Sequence, residues 1–120
     1  MNINISRKTV AAAFLVSAMA LPVPAFAQDD ALACATQHGL TSEHSTRVGD
    51  LTFTNSSDAY IQIFRVDPDG SSMEMTSLEA GQTSKLTQNR EAVYVGLDAQ
   101  GNCMGAGKLR ESRATITFGG

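Results

Sequence analysis

From residue 50 onward, apolar and polar side chains alternate in short runs that are separated by turn-forming residues. Alternation with a period of two is the pattern of a half-buried β-strand, and regularly spaced turns between such runs are typical of sandwiches and barrels. About seven strands are predicted by this procedure. They lie within residues 51–54, 60–66, 73–78, 85–88, 93–97, 103–109 and 114–118. The predicted fold is therefore all-β, a seven-stranded antiparallel β-sandwich.

The second run, residues 60–66, is apolar at most positions, which is typical of a strand covered on both faces. The sequence Asp-Pro-Asp-Gly follows at residues 67–70. A calcium loop is one interpretation, but Asp67, Asp69 and Glu74 are too few and too closely spaced for an EF-hand, and strands flank them. In a tight turn, proline presets φ and glycine accepts a positive φ. We therefore predict a turn that joins two strands.

The first 27 residues have the three parts of a signal peptide. Arg7 and Lys8 form the basic start, an apolar run of about 13 residues follows, and small residues precede an expected cleavage site before Gln28. A membrane anchor would need about 20 apolar residues. We therefore predict that residues 1–27 are removed, that the mature chain is periplasmic or secreted, and that it is not inserted in a membrane afterwards.

Residues 28–48 are polar and weakly patterned, with one short helix predicted around residues 30–37. We interpret them as an N-terminal arm of a β-sandwich domain that spans residues 49–120. Residues 28–120 carry seven Lys and Arg against twelve Asp and Glu, a formal charge of −5. The basic residues are scattered rather than clustered, which argues against nucleic acid as a partner.

Cys34 and Cys103 are the two cysteines of the chain. In an oxidising compartment, a single disulfide between them is expected, and it would fasten the arm to the start of the sixth strand. Lipid attachment at Cys34 is the alternative, but it would place Asp29 and Asp30 between the apolar run and the processing site, which is unfavourable. A metal or redox role is weaker because neither cysteine has a second one nearby in the sequence.

With the turn at residues 67–70 in place, residues 51–103 resemble the von Hippel-Lindau β-domain family, including its bacterial secreted members. The matching features are Phe53-x-Asn55, Asp69-Gly70, Leu78-x-x-Gly81, the strand through residues 93–98, and the early and late cysteines Cys34 and Cys103. The resemblance implies a seven-stranded β-sandwich.

The resemblance also implies a peptide-binding face. In family members that bind a hydroxyproline-containing peptide, the contacts come from two tryptophans, a tyrosine, a serine and a histidine. The corresponding positions here are Arg65, Met75, Gln88, Ala92 and Tyr94. None is identical and one aromatic residue remains, so hydroxyproline recognition is not expected to carry over. Joint exposure of the methionine and tyrosine would mark a binding face, whereas partial core packing is the alternative.

Three residues of the arm, His38, His44 and Glu43, have side chains that ligate metals. Zinc normally takes three or four protein ligands, and no further His or Cys of the chain is free to complete the set. These residues are therefore more simply interpreted as solvated side chains, and no metal or cofactor is predicted. No nucleophile elbow, C-x-x-C or phosphate-binding glycine loop occurs, and no carboxylate pair stands out as acid and base. No catalytic residue is therefore predicted.

Two further features have structural interpretations. Asn55-Ser56-Ser57 is formally a glycosylation acceptor, but a turn after the first strand is the simpler interpretation. Gly105 and Gly107 interrupt the sixth strand, as expected where a bulge or close packing is needed.

The sequence predicts a non-enzymatic binding module for an unidentified protein or peptide. Its candidate residues are Arg65, Met75, Gln88 and Tyr94, and an exposed sheet edge that accepts an extra strand is a second candidate surface. A structural or envelope-associated stability factor without a discrete site is the main alternative, and a small hydrolase is a third.

Overall fold

The computed structural model describes residues 25–119. The predicted signal peptide falls outside this range except for its last three residues, which open the helix. The elements are α1 (Ala25–Gln37), β1 (Val48–Asn55), β2 (Ile61–Val66), β3 (Ser72–Leu78), β4 (Thr83–Asn89), β5 (Val93–Leu97), β6 (Cys103–Lys108) and β7 (Arg113–Phe118). The seven predicted strands and the helix in the arm are confirmed.

The strands form two sheets, with the orders β4-β1-β7 and β3-β2-β5-β6. Four of the five strand pairs are antiparallel, as predicted. The prediction is wrong for one pair, because β1 and β7 run parallel, with Asp50 opposite Arg113 and Asn55 opposite Phe118. The chain enters β7 from β6, a strand of the other sheet, so β7 is not bound by the hairpin geometry that forces sequential strands to run antiparallel.

The main core lies between the two sheets. Its buried members are Leu51, Phe53, Ile61, Ile63, Leu78, Ala92, Tyr94, Leu109, Ile116 and Phe118. Three aromatic rings stand at its centre: Phe53 packs at 5.7 Å from Tyr94 in an edge-to-face arrangement and at 6.0 Å from Phe118. In β1 and β7, burial alternates along the strand and places the apolar side chains inward, as the period-two pattern predicts.

Helix α1 covers the outer face of the four-stranded sheet. Its buried stripe of Ala31, Cys34 and Ala35 follows the i, i+3, i+4 spacing of one helix face. This stripe packs with Phe64 and Val66 of β2 in a second core. Strand β2 is therefore covered on both faces, as its mostly apolar run predicts.

A disulfide joins Cys34 of α1 to Cys103 at the start of β6, with 5.3 Å between the Cα atoms. The predicted pairing and its position are confirmed. It links residues 69 positions apart, so it closes a long loop. In the chain-entropy model such a loop stabilises the fold by about 4 kcal/mol.

Asn55, at the end of β1, is fully buried and joins three parts of the chain. Its side-chain amide donates hydrogen bonds to the carbonyl of Ala59 at 2.7 Å and to those of Leu78 and Glu79 at 3.2 and 3.1 Å. Its carbonyl accepts from the amide and hydroxyl of Ser57, which closes the predicted turn. The amide nitrogen that a glycan would need is thus occupied inside the protein.

The close packing predicted for the glycines of β6 is present. A Cβ atom at Gly107 would lie 2.7 Å from Cγ1 of Ile116, and one at Gly105 would lie 3.1 Å from Cδ1 of Phe118. Real Cβ atoms essentially never come as close as the first distance and seldom as close as the second, so these glycines allow β6 to lie directly over β7.

Candidate functional site

One end of the sandwich opens into a cleft of about 380 Å³, which we call the mouth cleft. Its lining residues are Glu43, His44, Ser45, Arg65, Asp67, Pro68, Asp69, Asn89 and Ala92. They come from the loop between α1 and β1, the end of β2 and the turn after it, and the segment from the end of β4 to the start of β5. The topology therefore brings polar residues from three distant parts of the chain together.

Arg65 lines the mouth cleft. It is a residue of β2 and lies two positions after the buried Ile63. Its guanidinium Nε donates to the Asp67 carboxylate at 2.7 Å, and both side chains are less than one-third exposed. On the edge strand β3, the thioether of Met73 lies 4.0 Å from the same guanidinium. The positive charge of Arg65 is thus already paired inside the protein.

The wall formed by residues 67–71 is the predicted tight turn. Gly70 has φ 91° and its amide donates to the Asp67 carbonyl at 2.9 Å. The Asp69 carboxylate accepts from the hydroxyl and the amide of Ser71, and these hydrogen bonds lower the pKa of Asp69. The turn prediction is confirmed, and the carboxylate stays charged and exposed at the rim of the cleft.

The opposite wall, residues 43–45, is anchored to the sheet by hydrogen bonds. The hydroxyl of Ser42 is buried; it accepts from the amide of Val93 and donates to the carbonyl of Val66. The Glu43 amide donates to the Glu91 carbonyl at 2.7 Å. These bonds hold the loop, while the side chains of Glu43 and His44 remain exposed.

The Glu43 carboxylate also accepts from Lys108 Nζ at 3.0 Å. The Lys108 side chain is only 5% exposed, and a second carboxylate, Glu91, lies 3.7 Å from its Nζ. A buried ammonium of this kind is expected to be paired, so the two carboxylates satisfy it. The Glu43 side chain remains 68% exposed and thus still faces solvent at the cleft.

The structure does not bring the four predicted binding residues to one surface. Arg65 lines the mouth cleft. Ala92, which is one of the five positions that the family resemblance implies for peptide binding, lines it too. Tyr94 is fully buried in the main core, where its hydroxyl donates to the Asn89 carbonyl at 3.2 Å. Burial raises the pKa of Tyr94 to about 12. The joint exposure of Met75 and Tyr94 that would mark a binding face is therefore absent, and core packing holds for the tyrosine.

The other two predicted residues lie on strands at the margins of the sheets. Met75 is half-buried on β3, at a bulge where Ile63 pairs with Thr76 and Phe64 with Glu74. Gln88 is half-buried on β4, opposite Gly49 of β1. Neither of them lines the mouth cleft.

The two histidines lie at different places. His44 lines the mouth cleft, whereas His38 stands beside the disulfide, where its imidazole and the two sulfurs lie within 4.8 Å of one another. Both sulfurs belong to the disulfide, so they are not thiolate ligands in this state.

The mouth cleft gathers carboxylates, an imidazole and a hydroxyl, which are the residue types of acid-base chemistry. In residues 25–119, however, their hydrogen bonds serve the loops: Ser45 Oγ accepts from the amide of Arg47 at 3.1 Å, and Asp69 closes its own turn. Three carboxylates and one guanidinium line the cleft, and the guanidinium of Arg65 is paired with Asp67. The cleft is therefore acidic. Positively charged groups can therefore pair with the carboxylates at its rim.

The acidic residues of the mouth cleft were recognisable in the sequence only as separate features. Asp67 and Asp69 belong to the turn signal, and Glu43 and His44 are of residue types that ligate metals. These residues converge because of the path that the loop between α1 and β1 takes across the sheet. The alternation of apolar and polar residues does not predict this path.

Between residues 25 and 119, no helix has the length and apolar character needed to cross a membrane. No protein-family model matches the chain, and no curated protein matches it. Among solved structures, a protein from Eubacterium rectale determined by NMR is similar over 63% of this chain and 81% of its own, with 10% identity and a TM-score of 0.44. A structure described as a trapped toxin is similar over 59% of this chain and 21% of its own, with 12% identity and a TM-score of 0.40. The resemblance to the von Hippel-Lindau β-domain family stays a prediction.

Proposed function

We propose that the protein is a periplasmic or secreted, non-enzymatic binding module, and that its mouth cleft takes up a basic side chain from an extended segment of a partner protein or peptide. The observation that carries the proposal is the charge of the cleft. Three carboxylates, from Glu43, Asp67 and Asp69, line it together with one guanidinium. Asp67 is paired with that guanidinium and Glu43 shares the Lys108 ammonium with Glu91, so Asp69 is the rim carboxylate with no cation beside it among these ion pairs. A lysine or arginine of the partner would pair with the exposed carboxylates at the rim.

The outer strand of the four-stranded sheet supports the proposal that the partner segment binds in an extended conformation. Strand β3 is an outer strand of that sheet and begins at Ser72, directly after the acidic turn. An edge strand presents main-chain donors and acceptors to which a peptide can add as a further strand. The exposed Met73, at 51% of its full accessibility, lies beside the cleft and offers apolar contact. One segment could thus pair with β3 and place a basic side chain in the cleft.

Export is supported by the disulfide and by the signal-peptide pattern of the first 27 residues. Both cysteines of the chain are used in the bridge. Disulfides of this kind form and persist in oxidising compartments. The binding partner is therefore expected among proteins of the envelope or the surrounding medium.

The test is a titration with peptides of opposite charge. Isothermal titration calorimetry would compare an extended lysine- and arginine-containing peptide pool with a glutamate-containing pool of the same length. Only the basic pool is expected to bind, and its affinity should fall with rising salt. The substitution Asp69→Asn removes one rim charge, while its amide oxygen can still accept from Ser71. It should weaken binding about threefold to tenfold, as rim charges do.

The matched control is Asp58→Asn, which removes the same charge from an exposed residue outside the cleft. Its affinity for the basic pool should equal that of the unmodified protein. Equal losses from both substitutions would show that binding follows net charge rather than the cleft. Absence of binding to either pool would refute the proposal and favour a structural role in the envelope.

A further inference from the structure

The end of α1 holds a histidine in a fixed position beside the disulfide. Gly39 has φ 69° and its amide donates to the Thr36 carbonyl at 2.9 Å, while the Leu40 amide donates to the Ala35 carbonyl at 3.0 Å. These two bonds form a Schellman cap, in which His38 is the last residue before the left-handed glycine. The backbone of His38 is therefore ordered by the helix end.

Helical spacing brings His38 to the face of α1 that carries the disulfide. The His38 amide donates to the Cys34 carbonyl at 3.2 Å, so the two residues stand one turn apart and on the same side. Cys103 reaches the same point from β6 through the disulfide. The two sulfurs and the nearest imidazole nitrogen lie within 4.8 Å of one another.

We propose that the reduced protein binds a thiophilic metal ion, with Zn²⁺ as its representative, through Cys34, His38 and Cys103. A dithiol reductant would transfer two electrons and two protons to the disulfide, which yields two thiols and leaves the reductant as a disulfide. Binding of Zn²⁺ would then release the two thiol protons, and the metal would take two thiolates and one imidazole nitrogen. The disulfide would thus prevent metal binding until it is reduced.

The ligand set and its geometry fit this ion. Two thiolates and one imidazole form a three-ligand zinc site that leaves a fourth position for water. Tetrahedral zinc places such ligand atoms about 3.5–3.8 Å apart, a separation within reach of side-chain rotation from the present positions. The Cα atoms of the cysteines are 5.3 Å apart, so the backbone need not move far.

The three residues also offer an entry path. Cys34 is buried, Cys103 is half-buried and His38 is exposed. An ion arriving from solvent would meet the imidazole first, and the thiolates would then hold it against the sheet. The burial of Ala31 and Ala35 against the sheet does not require the sulfur–sulfur bond and would help to keep the helix in place after reduction.

The experiment compares zinc binding by the oxidised and reduced protein. The protein would be reduced with a phosphine, which does not compete for the metal as thiols do, and titrated with Zn²⁺ in a calorimeter. One equivalent is expected to bind to the reduced protein and none to the oxidised protein. With Co²⁺ in place of Zn²⁺, thiolate-to-cobalt charge-transfer absorption should appear in the reduced protein alone.

The substitution His38→Ala should weaken zinc binding by at least about tenfold, because it removes a ligand. The control His44→Ala removes the other histidine of the chain and should leave the affinity within about twofold, since His44 is not among the residues that gather at the disulfide. Equal affinity in the His38→Ala variant, binding to the oxidised protein, or absence of binding after reduction would each overturn the proposal.

Circular dichroism keeps the test decisive if reduction unfolds the chain. In that case, zinc should restore the β-sheet spectrum of the reduced protein but not that of the reduced His38→Ala variant, because metal binding and folding are then coupled. Failure of zinc to restore the spectrum, or equal recovery by the variant, would contradict the site. Peptide binding by the mouth cleft is measured on the oxidised protein, so the two proposals fail independently.

Discussion

The buried amide of Asn55 should be among the most sensitive polar positions of the fold. Its side chain links the turn after β1 to the end of β3 through hydrogen bonds to the carbonyls of Ala59, Leu78 and Glu79. The bond to Leu78 is completely buried, whereas the other two lie where water has partial access. The substitution Asn55→Ala would leave the Leu78 carbonyl without this donor.

The expected loss of stability follows from how deeply each of these hydrogen bonds is buried. A buried acceptor without a partner costs about 1–3 kcal/mol, and each remaining bond contributes about 0.5–1.5 kcal/mol net, part of which water can replace. The substitution Asn55→Ala should therefore lower the free energy of unfolding by about 3 kcal/mol. That is a large share of the roughly 5–15 kcal/mol of a typical domain.

The substitution Asn55→Asp keeps the shape of the side chain but turns a carboxylate toward the three carbonyls. Repulsion from these oxygens should raise the pKa of the introduced carboxyl above its unfolded value of about 3.9. A raised folded pKa means that the native state binds the proton more tightly. The penalty should therefore be fully present at neutral pH and shrink as the pH falls toward 4, by about 1.4 kcal/mol for each unit of pKa shift.

Urea unfolding followed by far-ultraviolet circular dichroism would measure both effects, because the chain has no tryptophan to serve as a fluorescent probe. The control is Asn89→Ala, which removes an exposed amide that donates to one carbonyl at 3.2 Å and should cost less than about 1 kcal/mol. A loss below about 1 kcal/mol for Asn55→Ala would refute the reasoning. So would an Asn55→Asp variant whose stability, relative to the unmodified protein, does not change with pH.

Three further outcomes are expected. Gly96→Ala would place a Cβ atom 2.6 Å from the Phe118 ring, so it should lower the free energy of unfolding by about 1–3 kcal/mol, and a second substitution, Phe118→Leu, should recover part of this loss in a thermal melt. Tyr94 should ionise near pH 12 in a spectroscopic titration, and Tyr94→Phe should abolish that step; since the raised pKa favours the neutral phenol in the folded state, stability should fall as the pH rises from 10 toward 12. Replacing Cys34 and Cys103 together by alanine should cost about 4 kcal/mol in urea unfolding, and a loss near zero would contradict the loop-closure estimate.

Much of the fold could be predicted from local patterns. The strand containing Phe64 was expected to be covered on both faces because it lacks polar alternation, and the helix and the inner core do cover it. The turn at residues 67–70 was predictable because proline and glycine restrict the backbone of their own positions. These features depend on neighbouring residues, which a sequence displays directly.

The candidate site was predictable only in fragments. Arg65 was expected at a binding surface and does line the mouth cleft, whereas Tyr94 turned out to be a core residue. An amphipathic tyrosine can occupy either place, and its burial here depends on packing against Phe53 across the sheets. The sequence contains no local sign of that contact.

By itself, the sequence determined the number of strands, the tight turn and the single possible disulfide, because each follows from the chemistry of nearby residues or from a count of cysteines. Only the tertiary structure decided that β1 and β7 run parallel, that α1 forms a third layer, and that His38 lies beside the disulfide. These arrangements join residues far apart in the chain. Their geometry is set by how the whole core packs, since burial of apolar surface is non-directional and does not by itself specify which distant strands become neighbours.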